Sequence, residues 1–236
     1  MLPFVSSPAS AQGNGPGFLF KKPGLQVGVR AGYSVASAGG GVFDRAMEDF
    51  TLRKRDFDSS AWGVELAVRG TERLDFALDV RFSRSETPSE SRPYVGVDDL
   101  PILQTTTFWR VPVTVGAKYY LRDRGRAVSE FAWVPAKWTP FIGVGAGVNW
   151  YQLKQEGDFV DESTPNLDIL YLTLKSSGVT PTAHVFAGMD ISMSARFLWT
   201  LEARYGFGSA ETGSAFAFET IDLSGFQATV GLSARF

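Results

Sequence analysis

The stretch Gly225 to Phe236, reading G-F-Q-A-T-V-G-L-S-A-R-F, decides the fold. In an extended chain successive side chains point to opposite sides. Phe226, Ala228, Val230, Leu232, Ala234 and Phe236 therefore share one face, and Gln227, Thr229, Gly231, Ser233 and Arg235 share the other. The alternation runs to the last residue, so the sequence predicts a closing strand that must be paired. An uncovered end strand is a liability in an open sheet. In a closed barrel the last strand pairs with the first.

The same two-residue period recurs upstream. It predicts strands over Leu25–Val35, Trp62–Arg69, Leu74–Ser83, Thr107–Tyr119, Phe141–Trp150, His184–Ile191 and Phe197–Phe207. With the terminal stretch this makes an all-β, eight-stranded antiparallel up-and-down transmembrane β-barrel, with strands of about ten residues, the length a tilted membrane crossing needs. Gly70–Arg73 and Ser192–Arg196 read as tight turns, and Arg122–Lys137 as a medium connection. Gly39–Ser59, Ser85–Gln104, Gln152–Thr180 and Gly208–Ala217 read as long loops, the third with a centre, Ile169–Leu174, able to prolong a hairpin. Pro112 lacks a ladder donor and predicts a bulge or rim position.

Alternation alone does not say which face points inward, because soluble and membrane barrels share it. The polar face is mostly Gly, Ser, Thr and Ala with isolated charges, and Lys118 is its only lysine. That suits a narrow interior better than a solvated wall. Trp62, Phe82, Trp109, Tyr119, Trp150, Phe197, Trp199, Phe207, Phe226 and Phe236 lie on the apolar side, most near strand ends, as interfacial aromatic girdles require.

The totals agree. A chain of 236 residues suffices for one barrel, and a net charge of −2 points to no polyanion and no nucleic acid. No stretch approaches the roughly 20 apolar residues of a membrane-crossing helix. The absence of cysteine removes thiol chemistry and Cys-ligated metal, and no cofactor or metal is expected. Ala9-Ser10-Ala11 before Gln12 is similar to a signal-peptidase site, giving residues 1–11 as a residual export-signal segment, 12–24 as an N-terminal periplasmic extension and 25–236 as the barrel. A plain Pro/Ser/Gly leader reads the same way.

The segments R-V-P-V-T-V-G-A-K-Y-Y (Arg110–Tyr120) and P-F-I-G-V-G-A-G-V-N-W (Pro140–Trp150), with the Phe-terminated last strand, resemble the small outer-membrane β-barrel superfamily that includes the OmpA transmembrane domain, OmpX and OmpW. The resemblance implies a cell outer-membrane location, contact with outer-membrane lipid and lipopolysaccharide, and a monomer. It also implies a barrel-assembly signal carried by Phe226, Val230, Leu232 and Phe236. A periplasmic peptidoglycan-binding domain of the OmpA kind is not present in the pattern, so wall tethering has no support.

Several residues are candidates for chemistry. The inward set Arg30, Arg69, Arg81, Arg110, Lys118, Arg204 and Arg235 against Glu65, Asp75, Asp79, Asp190 and Glu202 should interlock as ion pairs, since a lone buried charge is costly. The favoured reading is a structural plug, and the competing one a small or gated pore that prefers anions. His184 is the only histidine, and a lipid A deacylase-like enzyme would need it beside a serine and a carboxylate. Phe186 stands where such a motif would put the serine. Asp98-Asp99 and Asp158–Glu162 lack cation-loop spacing and read as solvated loop charge. The Gly143, Gly145, Gly147 run lies inside a strand, leaving room for arginines from facing strands rather than cradling phosphate. The expected function is non-enzymatic, structural or surface-interacting through four outer loops, with the deacylase-like enzyme and a soluble lipocalin-like cup as alternatives.

Overall fold

The computed structural model describes residues 17–96, 99–161, 164 and 167–236. Its elements in chain order are β1 (Leu25–Ala36), α1 (Gly41–Asp49), β2 (Ser59–Arg69), β3 (Leu74–Val95), β4 (Pro101–Tyr120), β5 (Gly125–Ser129) and β6 (Ala132–Pro135). They continue with β7 (Trp138–Asp161), β8 (Asp168–Ser192), β9 (Phe197–Phe207), β10 (Ser209–Glu211), β11 (Thr220–Asp222) and β12 (Gly225–Arg235). Eight of the strands close into a barrel in the order β1-β12-β9-β8-β7-β4-β3-β2. The closing seam runs from Gln26 opposite Arg235 to Ala36 opposite Gly225. Beyond it, Leu25 and Phe236 exchange backbone hydrogen bonds of 3.1 and 2.8 Å.

The wall is inside out relative to a soluble protein. Trp62 is 57 % exposed and Val115 64 %, and Leu66, Val113, Ile142 and Leu232 face outward with them. Arg81 and Lys118 are 1 % and 0 % exposed. Apolar side chains on the outside and charges on the inside are stable only where the surrounding solvent is hydrocarbon.

Four connections differ from the sequence expectation. Ser85–Gln104 is not a loop, because β3 runs on to Val95 and β4 starts at Pro101. Gln152–Thr180 is likewise mostly strand: β7 and β8 stay in one register from Trp138–Ile191 to Asp161–Asp168. At about 3.3 Å per residue the 24 residues of β7 extend roughly 80 Å, well beyond a hydrocarbon layer of about 30 Å. Gly39–Ser59 holds a nine-residue helix and a 3-10 turn, Lys54–Phe57. The helix buries Val42, Phe43 and Ala46 on one side, a pattern too short to read as periodic in sequence. Gly208–Ala217 opens the small β10–β11 hairpin.

Pro112 creates no bulge. Its strand keeps register with β7, where Val111 pairs with Trp150 and Pro112 with Asn149, while the β3–β4 ladder skips the pairs between Val80–Val113 and Ser83–Arg110 without shifting. One missing donor is absorbed by a local opening, and the register shift of that ladder falls between Glu90 and Val95.

Candidate functional site: the lumen and its two covers

The lumen charges sit on strands whose inward positions are set by alternation, and their pairing is set by the barrel's closure. Glu202 on β9 is the hub. Its Oε1 accepts from Arg81 Nη2 at 2.7 Å and from Arg204 Nε at 3.1 Å, and its Oε2 pairs with Arg30. Arg30 also meets Glu65. Asp79 binds Arg81 Nε at 2.9 Å and Arg204 Nη1 at 2.8 Å. Below this group Asp190 accepts from Tyr120 Oη at 2.9 Å, Thr200 Oγ1 at 2.8 Å and Lys118 Nζ at 3.4 Å. The Lys118 ammonium lies 3.8 Å from the Phe141 ring centroid, where the ring face adds to its compensation.

Three cations expected in one network stand apart from it. Arg110, at the long-loop end, donates to Ser34 Oγ at 2.9 Å and to the carbonyls of Leu223 and Ser224 at 3.4 and 3.3 Å. Arg69 and Arg235, at the short-turn end, each lie 6.0 Å from the centroid of Trp133. None of the three forms an ion pair among the described residues, although Arg69 stands opposite Asp75 in the β2–β3 ladder. Asp75 is also drawn away. Both its oxygens take Arg124 Nη1, at 2.6 and 2.7 Å. Arg124 was hidden from sequence reasoning by its place in the connection before β5. It folds back under the barrel, donating also to the Thr71 and Glu72 carbonyls.

The space over Gly143 and Gly145 is not filled by arginines. Phe186 and His184 of the adjacent β8 occupy it, and a Cβ at either glycine would collide with those rings. Arg30 does lie over a glycine, but that one is Gly231 on β12, where a Cβ would come within 2.7 Å of the Arg30 Cγ.

Both ends are covered. At the long-loop end Phe43 of α1, Phe57 and Phe108 pack edge to face, with centroids 4.6 Å (Phe43–Phe57) and 5.3 Å (Phe43–Phe108) apart, in a cluster with Leu52, Tyr151, Leu153, Ile221 and Leu223. This second core was not visible in sequence. At the short-turn end Leu19 bridges to Trp133 of β6, so the segment before β1 lies across the rim and does not thread the lumen. Lys22 Nζ ties the same segment to Glu72 at 2.7 Å. Residues 1–16, with the Ala9-Ser10-Ala11 site, lie outside the described residues, as do Asp98 and Glu162. Between the covers the charged layer separates a cavity of about 40 Å³ beside His184, Arg110 and Arg204 from one of about 10 Å³ beside Arg69 and Arg235.

His184 faces this interior and makes no side-chain hydrogen bond among the described residues. Its ring stacks 5.5 Å from Phe186. It makes no hydrogen bond to a serine or a carboxylate among the described residues.

A closed barrel with a hydrocarbon-facing wall, a charged interior and short turns at one rim is a transmembrane β-barrel. No family model and no curated protein matches the sequence. Solved structures do resemble it in fold. Neisserial surface protein A is 9 % identical with a TM-score of 0.49, the match covering 90 % of this chain and 97 % of that one. The outer membrane protein OprG from Pseudomonas aeruginosa is 12 % identical with a TM-score of 0.48, over 92 % and 99 % of the two chains. Outer Membrane Protein W of E. coli is 16 % identical with a TM-score of 0.38, over 92 % and 100 %.

Proposed function

We propose that the protein resides in an outer membrane as a non-enzymatic monomer whose barrel holds a rigid external head, and that it does not serve as an open pore. The observation behind this reading is the layer of interlocked guanidinium and carboxylate groups at mid-height, which lies between a pocket of about 10 Å³ at one end and one of about 40 Å³ toward the other. Water needs about 10–15 Å³ per molecule by the same measure, which argues against a continuous file of water. The strands meanwhile continue far above the membrane and pack an apolar core there, an investment that positions surface for contact with molecules outside the cell. Outer-membrane lipid and lipopolysaccharide are the surroundings of the apolar wall.

Planar-bilayer recording of the refolded protein tests the closed lumen. Baseline current is expected at all moderate voltages, and sustained porin-like steps would refute it. A lipid A acyl-release assay on wild type and His184→Ala tests the enzymatic alternative: no release from either is expected, and release abolished by the substitution would establish an enzyme. The outward set Phe226, Val230, Leu232 and Phe236 supports a role of β12 as the stretch read by the barrel-assembly machinery. Phe236→Ala should then slow insertion in cells and leave detergent refolding unchanged.

A further inference from the structure

The net charge of −2 conceals an uncompensated cationic rim at the short-turn end. There Glu72 is taken by Lys22, Asp123 by Arg73 and Asp75 by Arg124. Glu130 and the terminal carboxyl of Phe236 are left, and a Phe236 oxygen already accepts from the N–H groups of Gly24 and Leu25 at 2.7 and 3.1 Å. Against them Lys21, Arg122, Arg126, Lys137 and Arg196 are exposed and form no ion pair among the described residues.

Three of these cations form an arc along neighbouring strand ends. Arg122 follows β4, Lys137 precedes β7, and Arg196 lies in the turn from β8 to β9. Backbone bonds join those ends: Leu121 N donates to the Pro140 carbonyl at 2.9 Å, and Ser192 N to the Lys137 carbonyl at 2.9 Å. With adjacent strands about 4.8 Å apart, the arc spans roughly 15 Å. The charges therefore act together, since screening sets in over about 8–10 Å.

Aromatic rings set the level of the arc. Lys137 precedes Trp138 and Arg196 precedes Phe197, rings that are 46 % and 50 % exposed on the outer wall. The Arg122 guanidinium stacks 4.3 Å from the Trp138 centroid. Such rings sit among lipid headgroups, so the cations beside them stand on the water side of the same layer. The opposite rim provides a contrast. There Arg84 lies 4.8 Å from Trp109 but pairs with Glu86. Arg122 has no carboxylate, and its guanidinium edge is free to take a phosphate bidentately.

We propose that Arg122, Lys137 and Arg196, with the Trp138 ring, bind the phosphate of anionic phospholipid, phosphatidylglycerol in type, in the leaflet on the short-turn side. A zwitterionic lipid carries the same phosphate but balances it with its own cation, so it gains less from the arc. The contact depends only on the barrel standing in a bilayer; outer-membrane residence decides that the leaflet is the periplasmic one.

The test is native mass spectrometry of the detergent-refolded full chain with added phosphatidylglycerol, phosphatidylcholine or inorganic phosphate. Phosphatidylglycerol should bind more tightly than phosphatidylcholine, and inorganic phosphate at the same concentration should not displace it. One cation at an anionic surface is worth about fivefold in binding. Arg122→Gln, Lys137→Gln and Arg196→Gln should each weaken phosphatidylglycerol by about that factor, and the triple substitution should abolish the preference. Arg122→Lys should retain more of it than Arg122→Gln, and Arg84→Gln should leave it unchanged. The substituted side chains are exposed, and the gel shift on boiling reports that each variant folds. Equal binding of the two lipids, a preference that survives the triple substitution, or displacement by inorganic phosphate would overturn the assignment. Absence of the gel shift in the wild type would instead refute the membrane barrel, and the lipid site with it.

Discussion

Arg81 and Glu202 are 121 positions apart in the chain and are joined at 2.7 Å across the lumen, by Nη2 donating to Oε1. One residue belongs to β3 and the other to β9, strands that are not neighbours in the barrel. The contact therefore spans the interior, and the rest of the charged layer is built around it.

Glu202→Gln removes the carboxylate shared by Arg30, Arg81 and Arg204. Taking one partner from a buried pair leaves uncompensated charge and costs about 3–5 kcal/mol. Urea unfolding in lipid vesicles should show a loss of that size.

The position of the membrane is set by where outward residues stop being apolar. Val115→Arg, at the middle of the lipid-facing wall, should cost about 2–4 kcal/mol. Thr173→Arg, on the exposed upper part of β8, should fall within about 0.5 kcal/mol of wild type. Equal costs in the same vesicle assay would mean that the hydrocarbon boundary has been misplaced.

Phe43→Ala should loosen the head and spare the barrel. Phe43 is fully buried against Phe57 and Phe108, and truncating such a ring costs about 3–5 kcal/mol. Limited trypsin digestion should cut faster at Arg45, Arg53, Lys54 and Arg55, while the gel shift on boiling persists.

Glu72 sits in the β2–β3 turn, outside the membrane, and its carboxyl is held below the usual glutamate range, first by the hydrogen bond from Lys22. A carboxylate lowered on folding adds stability above its unfolded pKa and loses that contribution as pH falls through the folded value. The link between the N-terminal segment and the turn should therefore hold at neutral pH and release in acid. NMR titration should place the Glu72 midpoint below that of a free glutamate, and Lys22→Ala should return it.

The lower barrel was legible because alternation is a local property. Each strand shows which side chains go in and which go out, so Arg30, Glu65, Asp79, Arg81, Lys118, Asp190, Glu202 and Arg204 could be assigned to the interior one strand at a time. The upper barrel was legible only in a signal that passed unread. At Trp150–Tyr151 the alternation changes sense: outward positions become Gln152, Lys154 and Glu156 and inward ones Tyr151 and Leu153. On β3 after Phe82 only the outward side changes, to Arg84 and Glu86, while the inward side stays small and polar with Ser83 and Ser85. A strand that leaves lipid for water must exchange its greasy and polar sides, and such an inversion resembles the end of a strand when only the membrane pattern is sought.

The amino-acid sequence by itself determined the faces of the barrel strands and the solvent they require, because period-two patterning and the choice of small residues act within a few positions of each other. Only the tertiary structure decided which cation meets which carboxylate, that Arg124 takes Asp75, that Arg69 and Arg235 are left with Trp133, and that α1 closes the upper mouth. Those outcomes depend on strand tilt and stagger around a closed ring, which bring residues more than a hundred positions apart to the same height, and no local pattern encodes that height.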